Sequence, residues 1–277
     1  MVQIITDSSP LYHPEEGKKL GFEVVPLCVN IDDFEGRDLL VDMNEFYGRI
    51  KKGGIPKSSQ PPIGEVFDMY EKYEDSEIIN IAMADGLSGT YQSACSAKEM
   101  LEDSSKVTVV NSKTLCGPHR YMVEKAQQMK EKGCSAKEIL EWLDYIKEKT
   151  ESFLIPQDFD FLRRGGRLTP VAAALGSVLK LKPIMVLTQD GKKLDKFAVK
   201  RTMRSAVDTV ISYLKTRNLD ARHILYISHA DALDDAKKIM AQIKEIFTEV
   251  EIQILDLGAA FVTQGGPKCV AIQYIEK

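Results

Sequence analysis

The sequence contains no C-x-x-C pair, and of its five scattered cysteines (Cys28, Cys95, Cys116, Cys134, Cys269) only Cys116 has a histidine close by, His119, a single pair with no second pair to complete a metal site. Zinc ribbons and disulfide scaffolds are thereby excluded, and the thiols are expected to be reduced, as in a cytosolic protein. No stretch reaches the roughly 18 consecutive apolar residues of a membrane span. The opening MVQIITDSS lacks a basic segment leading into a long apolar one, so a soluble, cytoplasmic protein with no integral membrane segment is expected. Glycine (18) and proline (11) show no excess, which rules out collagen-like and low-complexity chains. Positive charge is not in surplus either: 37 Lys and Arg stand against 41 Asp and Glu, a net charge of -4. Nucleic acid is therefore not an expected partner. No Gly-x-x-x-x-Gly-Lys-Ser/Thr or Gly-x-Gly-x-x-Gly pattern follows a strand to wrap a polyphosphate, and neither a cofactor nor a metal is expected.

What remains is an α/β rhythm in 277 residues, a length that suggests about two domains. Short β-branched apolar runs over Val2 to Thr6, Val24 to Val29, Ile78 to Met83 and Val107 to Val110 predict strands buried on both faces of a parallel sheet. Helical stripes run through Met43, Phe46, Tyr47 and Ile50, and through Ile63, Val66, Phe67 and Tyr70 after Pro61-Pro62. A third stripe passes Tyr121, Met122, Ala126 and Met129, and Ser135 with Glu138 forms a capping box for a fourth. From about Glu151 the texture becomes rich in Gly and Pro, which places a boundary between an N-terminal α/β domain (1–152) and a C-terminal one (153–277). In the latter, Thr188-Gln189-Asp190-Gly191 predicts an antiparallel hairpin, and helices about 205–214 and 234–247 alternate with strands about 223–228, 251–255 and 270–274. The expected fold is two α/β domains, the first with a mainly parallel sheet and the second with a mixed one, and a ligand between them.

Ligands of open α/β sheets gather beyond the carboxyl ends of the strands, and here those loops are rich in hydroxyls: Thr6-Asp7-Ser8-Ser9, Ser88-Gly89-Thr90, Asn111-Ser112-Lys113, and Ser58-Ser59 ahead of a helix. Such residues are first of all N-caps. Several together also suit a small anion, a carboxylate better than a polyphosphate. Gly86-Leu87-Ser88-Gly89-Thr90 approaches the G-x-S-x-G nucleophile elbow, but Thr90 replaces the second glycine. A Ser88 hydrolase with His229 as base is the enzymatic alternative. Leu162-Arg163-Arg164-Gly165-Gly166-Arg167-Leu168 reads either as a solvated turn or as a mobile glycine hinge displaying three guanidiniums to an acidic or phosphoryl partner.

Taken together, these segments resemble the DegV family of bacterial fatty-acid-binding proteins over essentially the whole chain. Ile5-Thr6-Asp7-Ser8-Ser9 is similar to I-T-D-S-[ST], Val24-Val25-Pro26-Leu27 to V-V-P-L, and Ser58-Ser59-Gln60-Pro61 to T-S-Q-P. Leu87-Ser88-Gly89-Thr90-Tyr91-Gln92-Ser93-Ala94 resembles L-S-G-T-Y-x-[SN]-A, and Leu162 to Leu168 resembles L-x-x-G-G-R-[IL]. The resemblance implies a non-catalytic carrier of one long-chain fatty acid, its acyl chain in a buried inter-domain tunnel. The carrier would present the carboxylate to a separate fatty acid kinase subunit, which makes acyl phosphate for phospholipid synthesis. It implies no catalytic residue and a ligand-binding set of Ser58, Ser59, Ser88, Gly89, Thr90, Arg167 and Gln264, with Phe159, Leu179, Met185 and Phe261 as candidate tunnel lining. The chain departs from the pattern at Val262-Thr263-Gln264-Gly265-Gly266-Pro267-Lys268, where Gln264 replaces the His of G-T-H-x-G-P-G and Lys268 its last glycine. Ser58 stands for a threonine, and Asp85-Gly86 for polar serines. Because Gln264 cannot titrate near neutrality, a different anionic lipid is the second alternative.

Overall fold

The computed structural model describes residues 1–175 and 181–277, so Leu179 lies outside the described residues. Contacts divide the chain into two units, Met1–Glu148 and Lys149–Lys277.

The first unit runs β1 (Val2–Asp7), α1 (Pro14–Leu20), β2 (Glu23–Val25), β3 (Cys28–Ile31), β4 (Phe34–Arg37), α2 (Met43–Lys51), β5 (Lys57–Ser59) and α3 (Ile63–Lys72). It continues with β6 (Glu77–Ala82), α4 (Thr90–Glu99), β7 (Val107–Asn111), α5 (Cys116–Glu131) and α6 (Ala136–Ile146). The apolar runs form a four-stranded sheet in the order β2-β1-β6-β7, parallel throughout. Ile4, Ile5, Ile79 and Ile81 are almost wholly buried in it, as expected of strands covered on both faces. The capping box predicted for α6 is present, with Glu138 N–H on the Ser135 hydroxyl at 3.3 Å and Ser135 N–H on the Glu138 carboxylate at 2.8 Å.

Two expectations are corrected here. Val24 to Val29 is not one strand: β2 stops at Val25 and β3 starts at Cys28, because Pro26 has no N–H to continue a ladder. The segment Lys57–Ser59, read as a loop, is a short strand that completes an antiparallel sheet of order β4-β3-β5, with Ser58 opposite Val29 and Ser59 opposite Cys28.

The second unit runs β8 (Thr150–Ile155), α7 (Phe159–Gly165), α8 (Pro170–Ala173), β9 (Lys182–Leu187), β10 (Leu194–Lys200) and α9 (Met203–Thr216). Then follow β11 (His223–His229), α10 (Leu233–Lys244), β12 (Glu251–Asp256), α11 (Ala259–Gly265) and β13 (Val270–Glu276). The boundary expected at 152/153 would cut β8, every recorded pairing of which is to strands of this unit. The six strands lie in the order β10-β9-β8-β13-β11-β12. Only β11 and β12 run parallel, so the sheet is mixed. The hairpin predicted at Asp190-Gly191 joins β9 to β10, its turn closed by Gly191 N–H on the Thr188 carbonyl at 2.8 Å.

Strand alternation gives this sheet two different faces. Phe153, Ile155, Leu225, Ile227, Val270 and Ile272 point to the main core, which α9 and α10 cover with Val210, Ile211, Leu214, Ile239 and Ile243. Leu154 and Met185 point the other way, into a separate cluster with Phe159 and Leu162 of α7, Leu168, and Ala172 of α8.

Candidate functional site

In the first unit the chain passes from β1 to β2 on one side and returns to β6 on the other, so the switch point lies at the carboxyl ends of β1 and β6. Here the protein fills the position with its own groups. The buried Asp7 carboxylate accepts from Ser9 N–H at 2.7 Å and Met83 N–H at 2.8 Å, lacing the two strand ends together. The Ser8 hydroxyl donates to the buried Asp38 at 2.7 Å and accepts from Leu27 N–H. Ser9 Oγ meets His119 Nδ1 at 2.6 Å, and His119 Nε2 meets the Ile81 carbonyl at 3.0 Å. That carbonyl can only accept, so the proton sits on Nε2 and Ser9 donates to Nδ1. Burial pushes the imidazole pKa down, against a smaller upward pull from Asp7. The first hydroxyl loop is thus internal structure.

The other hydroxyl motifs of this unit do come together. Gly89 precedes α4, and Gln60 lies so near its Cα that an added Cβ would be 3.2 Å from Gln60 Oε1. The Ser93 hydroxyl, one turn into α4, faces the Pro61 carbonyl at 3.4 Å. These contacts join Ser58-Ser59-Gln60-Pro61 to Ser88-Gly89-Thr90. Ser88 is half-buried; its oxygen lies 2.8 Å from Thr90 Oγ1 and accepts from Thr90 N–H at 3.3 Å. The Asp85 carboxylate is met at 3.4 Å by the exposed Gln92 of α4.

Thr90, which stands in place of the elbow's second glycine, is the partner of the Ser88 hydroxyl. His229, in the second unit, has Nδ1 3.4 Å from Ala232 N–H and 3.4 Å from Asp256, and its buried Nε2 has no partner among the described residues.

In the second unit, α7 begins at the Asp158 cap and ends at Gly166, whose φ of 71° is the left-handed conformation that favours glycine. Of the three arginines, Arg163 and Arg164 are exposed and Arg167 is half-buried. Arg163 pairs with Asp160 at 2.9 Å, Arg164 covers the Phe161 ring at 4.7 Å, and Arg167 folds back to donate to the Gly165 carbonyl. The segment is fixed to β10 by Leu194 N–H on the Arg167 carbonyl and Thr169 N–H on the Leu194 carbonyl, both 2.9 Å.

Helix α11 packs on α7, and two glycines allow the approach. A Cβ at Gly165 would lie 2.0 Å from Gln264 Oε1, and one at Gly266 would lie 2.9 Å from the Phe161 ring. Gln264 and Arg167 thus share Gly165 as a neighbour.

These polar groups border the second apolar cluster. Leu162 and Leu168, which bracket Gly165-Gly166-Arg167, both belong to it, with Phe159 and Met185. Leu154 is on an interior strand, between Met185 and Ala271 in register, yet is only half-buried. Phe261, on α11, is also half-buried. Sequence reading missed Gln60 and His119: the first is an ordinary strand-end residue whose partner is 29 positions away, and the second lies in a helix. Gly165 was visible in the motif, but not as the seat of Gln264. Among the described residues no helix is long and apolar enough to cross a membrane.

The profile of the DegV family, described as uncharacterised proteins, matches residues 1–277. A DegV domain-containing protein of Halalkalibacterium halodurans is 31% identical over 283 aligned positions, covering 100% of this chain and 99% of the relative. The crystal structure of DegV from Bacillus subtilis, a fatty acid binding protein, has a TM-score of 0.86 at 28% identity, covering 100% of this chain and 99% of that one. A DegV-family structure from Ruminococcus gnavus, refined with vaccenic acid, has a TM-score of 0.87 at 25% identity, covering 98% and 99%. Fold and motifs thus define a protein of two α/β units, one sheet parallel and one mixed. The chain belongs to the DegV family.

Proposed function

We propose that this protein binds a single long-chain fatty acid and presents its carboxyl end to a separate fatty acid kinase subunit, which phosphorylates it to acyl phosphate for phospholipid synthesis. The acyl chain occupies a buried tunnel between the domains, running along the apolar cluster under α7 and α8. Ser58, Ser59, Ser88, Gly89 and Thr90 of the first unit and Arg167 and Gln264 of the second hold the head group. The protein is a carrier without a catalytic residue and works in the cytoplasm.

The observation that carries this reading is the cluster itself: an apolar sheet face, separate from the main core, whose members Leu162 and Leu168 bracket a guanidinium-bearing loop. That is the complement of an amphiphile with a long tail and a small polar head. Burial stabilises each methylene by about 0.8 kcal/mol, so a tail of about 16 carbons supplies a large gross driving force before ordering and association costs. The Bacillus subtilis and Ruminococcus gnavus relatives support a fatty acid as that amphiphile. The Ser88 pair with Thr90 supports a binding role for that hydroxyl rather than a nucleophilic one.

The reading is tested by titrating delipidated protein with a long-chain fatty acid and then adding a DegV-partner kinase subunit with ATP. One acid bound per chain and acyl phosphate formed only with both proteins present is the expected outcome. Saturable binding without any turnover would remove the kinase half of the proposal.

A further inference from the structure

The carboxamide of Gln264 carries information about the head group, given the fatty-acid reading above, on which this inference rests. The Thr263 hydroxyl donates its one hydrogen to the Ala260 carbonyl at 2.7 Å, so towards Gln264 it can only accept. The contact of 3.3 Å between Gln264 and Thr263 Oγ1 must therefore come from Nε2, which settles which end of the amide is which. Oε1 is then a buried acceptor, and among the described residues no donor reaches it. It rests against Gly165, where an added Cβ would be 2.0 Å away.

A buried carbonyl oxygen without a donor is uncommon and unfavourable. A carboxylate would not relieve it: both its oxygens are acceptors, and one of them would face Oε1. A head group with a carbonyl and an adjacent O–H or N–H would relieve it. Its hydrogen would go to Oε1, and its carbonyl would accept the second Nε2 hydrogen, the paired arrangement of an acid with an amide.

We propose that Gln264 selects an uncharged, hydrogen-bond-donating acyl head group, a carboxylic acid that keeps its proton or a primary amide, over a carboxylate. The test is competition binding to the delipidated full-length protein at pH 7 with stearamide, stearic acid and methyl stearate, the last having the carbonyl but no donor. Stearamide should bind at least about tenfold tighter than methyl stearate, the worth of one good hydrogen bond, and no weaker than stearic acid. Gln264→Leu, which removes both the acceptor and the donor of the carboxamide, should bring stearamide to within about twofold of methyl stearate, and its thermal unfolding shows whether the variant is folded. The mass of the lipid that co-purifies from cells tells acid from amide. Stearic acid about tenfold or more tighter than stearamide, or an amide preference that survives Gln264→Leu, overturns the proposal. If none of the three compounds binds, the fatty-acid reading falls and this inference with it.

Discussion

Gln264 Oε1 lies over Gly165 at a distance no side chain at 165 could tolerate: a Cβ there would be 2.0 Å from the oxygen. Gly165 lies within α7 and is not among the residues with positive φ, so the glycine serves proximity rather than backbone shape. Gly165→Ala should force Gln264 aside and loosen α7 from α11. Because the atoms met are the tip of a flexible side chain, the expected cost is under about 1 kcal/mol of stability, with a larger relative loss of lipid retention. Thermal unfolding and lipid titration of the same variant check both parts.

Ser88 bonds Thr90 at the start of α4, and the proposed function gives its hydroxyl to the head group. Ser88→Ala should weaken fatty-acid binding by about 1 to 3 kcal/mol, the cost of losing its hydrogen bond to the head group. Calorimetric titration that finds unchanged affinity would remove Ser88 from the site.

Arg167 is half-buried and bonded to the Gly165 carbonyl. Arg167→Ala should reduce kinase-dependent turnover more than lipid affinity, measured side by side. Equal losses would show that Arg167 acts through the head group alone and has no part towards the partner.

His119 is buried with its pKa pushed below its ordinary value of 6.5. It is neutral in the folded chain, whereas the unfolded chain takes up a proton once the pH falls below about 6.5, so acid favours unfolding. Stability should therefore fall with decreasing pH below that point, with a contribution of up to about 1.4 kcal/mol per pH unit from this residue. Denaturant unfolding between pH 7 and 5 should show a shallower decline in His119→Gln. The same variant should lose about 1 to 3 kcal/mol at pH 7, because Ser9 and the Ile81 carbonyl lose a fitted partner.

Lys268 and Asp231 both adopt left-handed backbone, with φ of 63° and 51°, and their side chains pair at 2.6 Å. Lys268→Gly relieves strain but loses an exposed ion pair, which is worth little, so its stability should change by less than about 1 kcal/mol. Lys268→Val places a β-branched side chain in that conformation and should cost about 1 to 2 kcal/mol. Melting curves of the two variants make the comparison.

The parallel strands were legible because double burial leaves continuous runs such as Ile78 to Met83. The capping box of α6 and the Asp190-Gly191 hairpin were legible because both are local chemistry. What escaped the sequence depends on long-range pairing. Lys57–Ser59 becomes a strand only because β3 offers it a partner. The Arg167 segment looked like a hinge, since its two backbone bonds to Leu194 leave no mark in the glycines around it. His119 sits 110 residues from Ser9, so neither predicts the other. The hydroxyl motifs were visible, but only folding separated Ser8 and Ser9, which hold the strand ends, from Ser58 and Ser88, which adjoin each other through Gln60 and Pro61.

The central claim, that the chain carries one long-chain fatty acid, is tested most directly by mild denaturing extraction of protein purified from cells, followed by mass spectrometry of the organic phase. The account predicts a long-chain acyl lipid at about one per chain. An extract without any such lipid, from protein that also fails to take up added fatty acid, would contradict it.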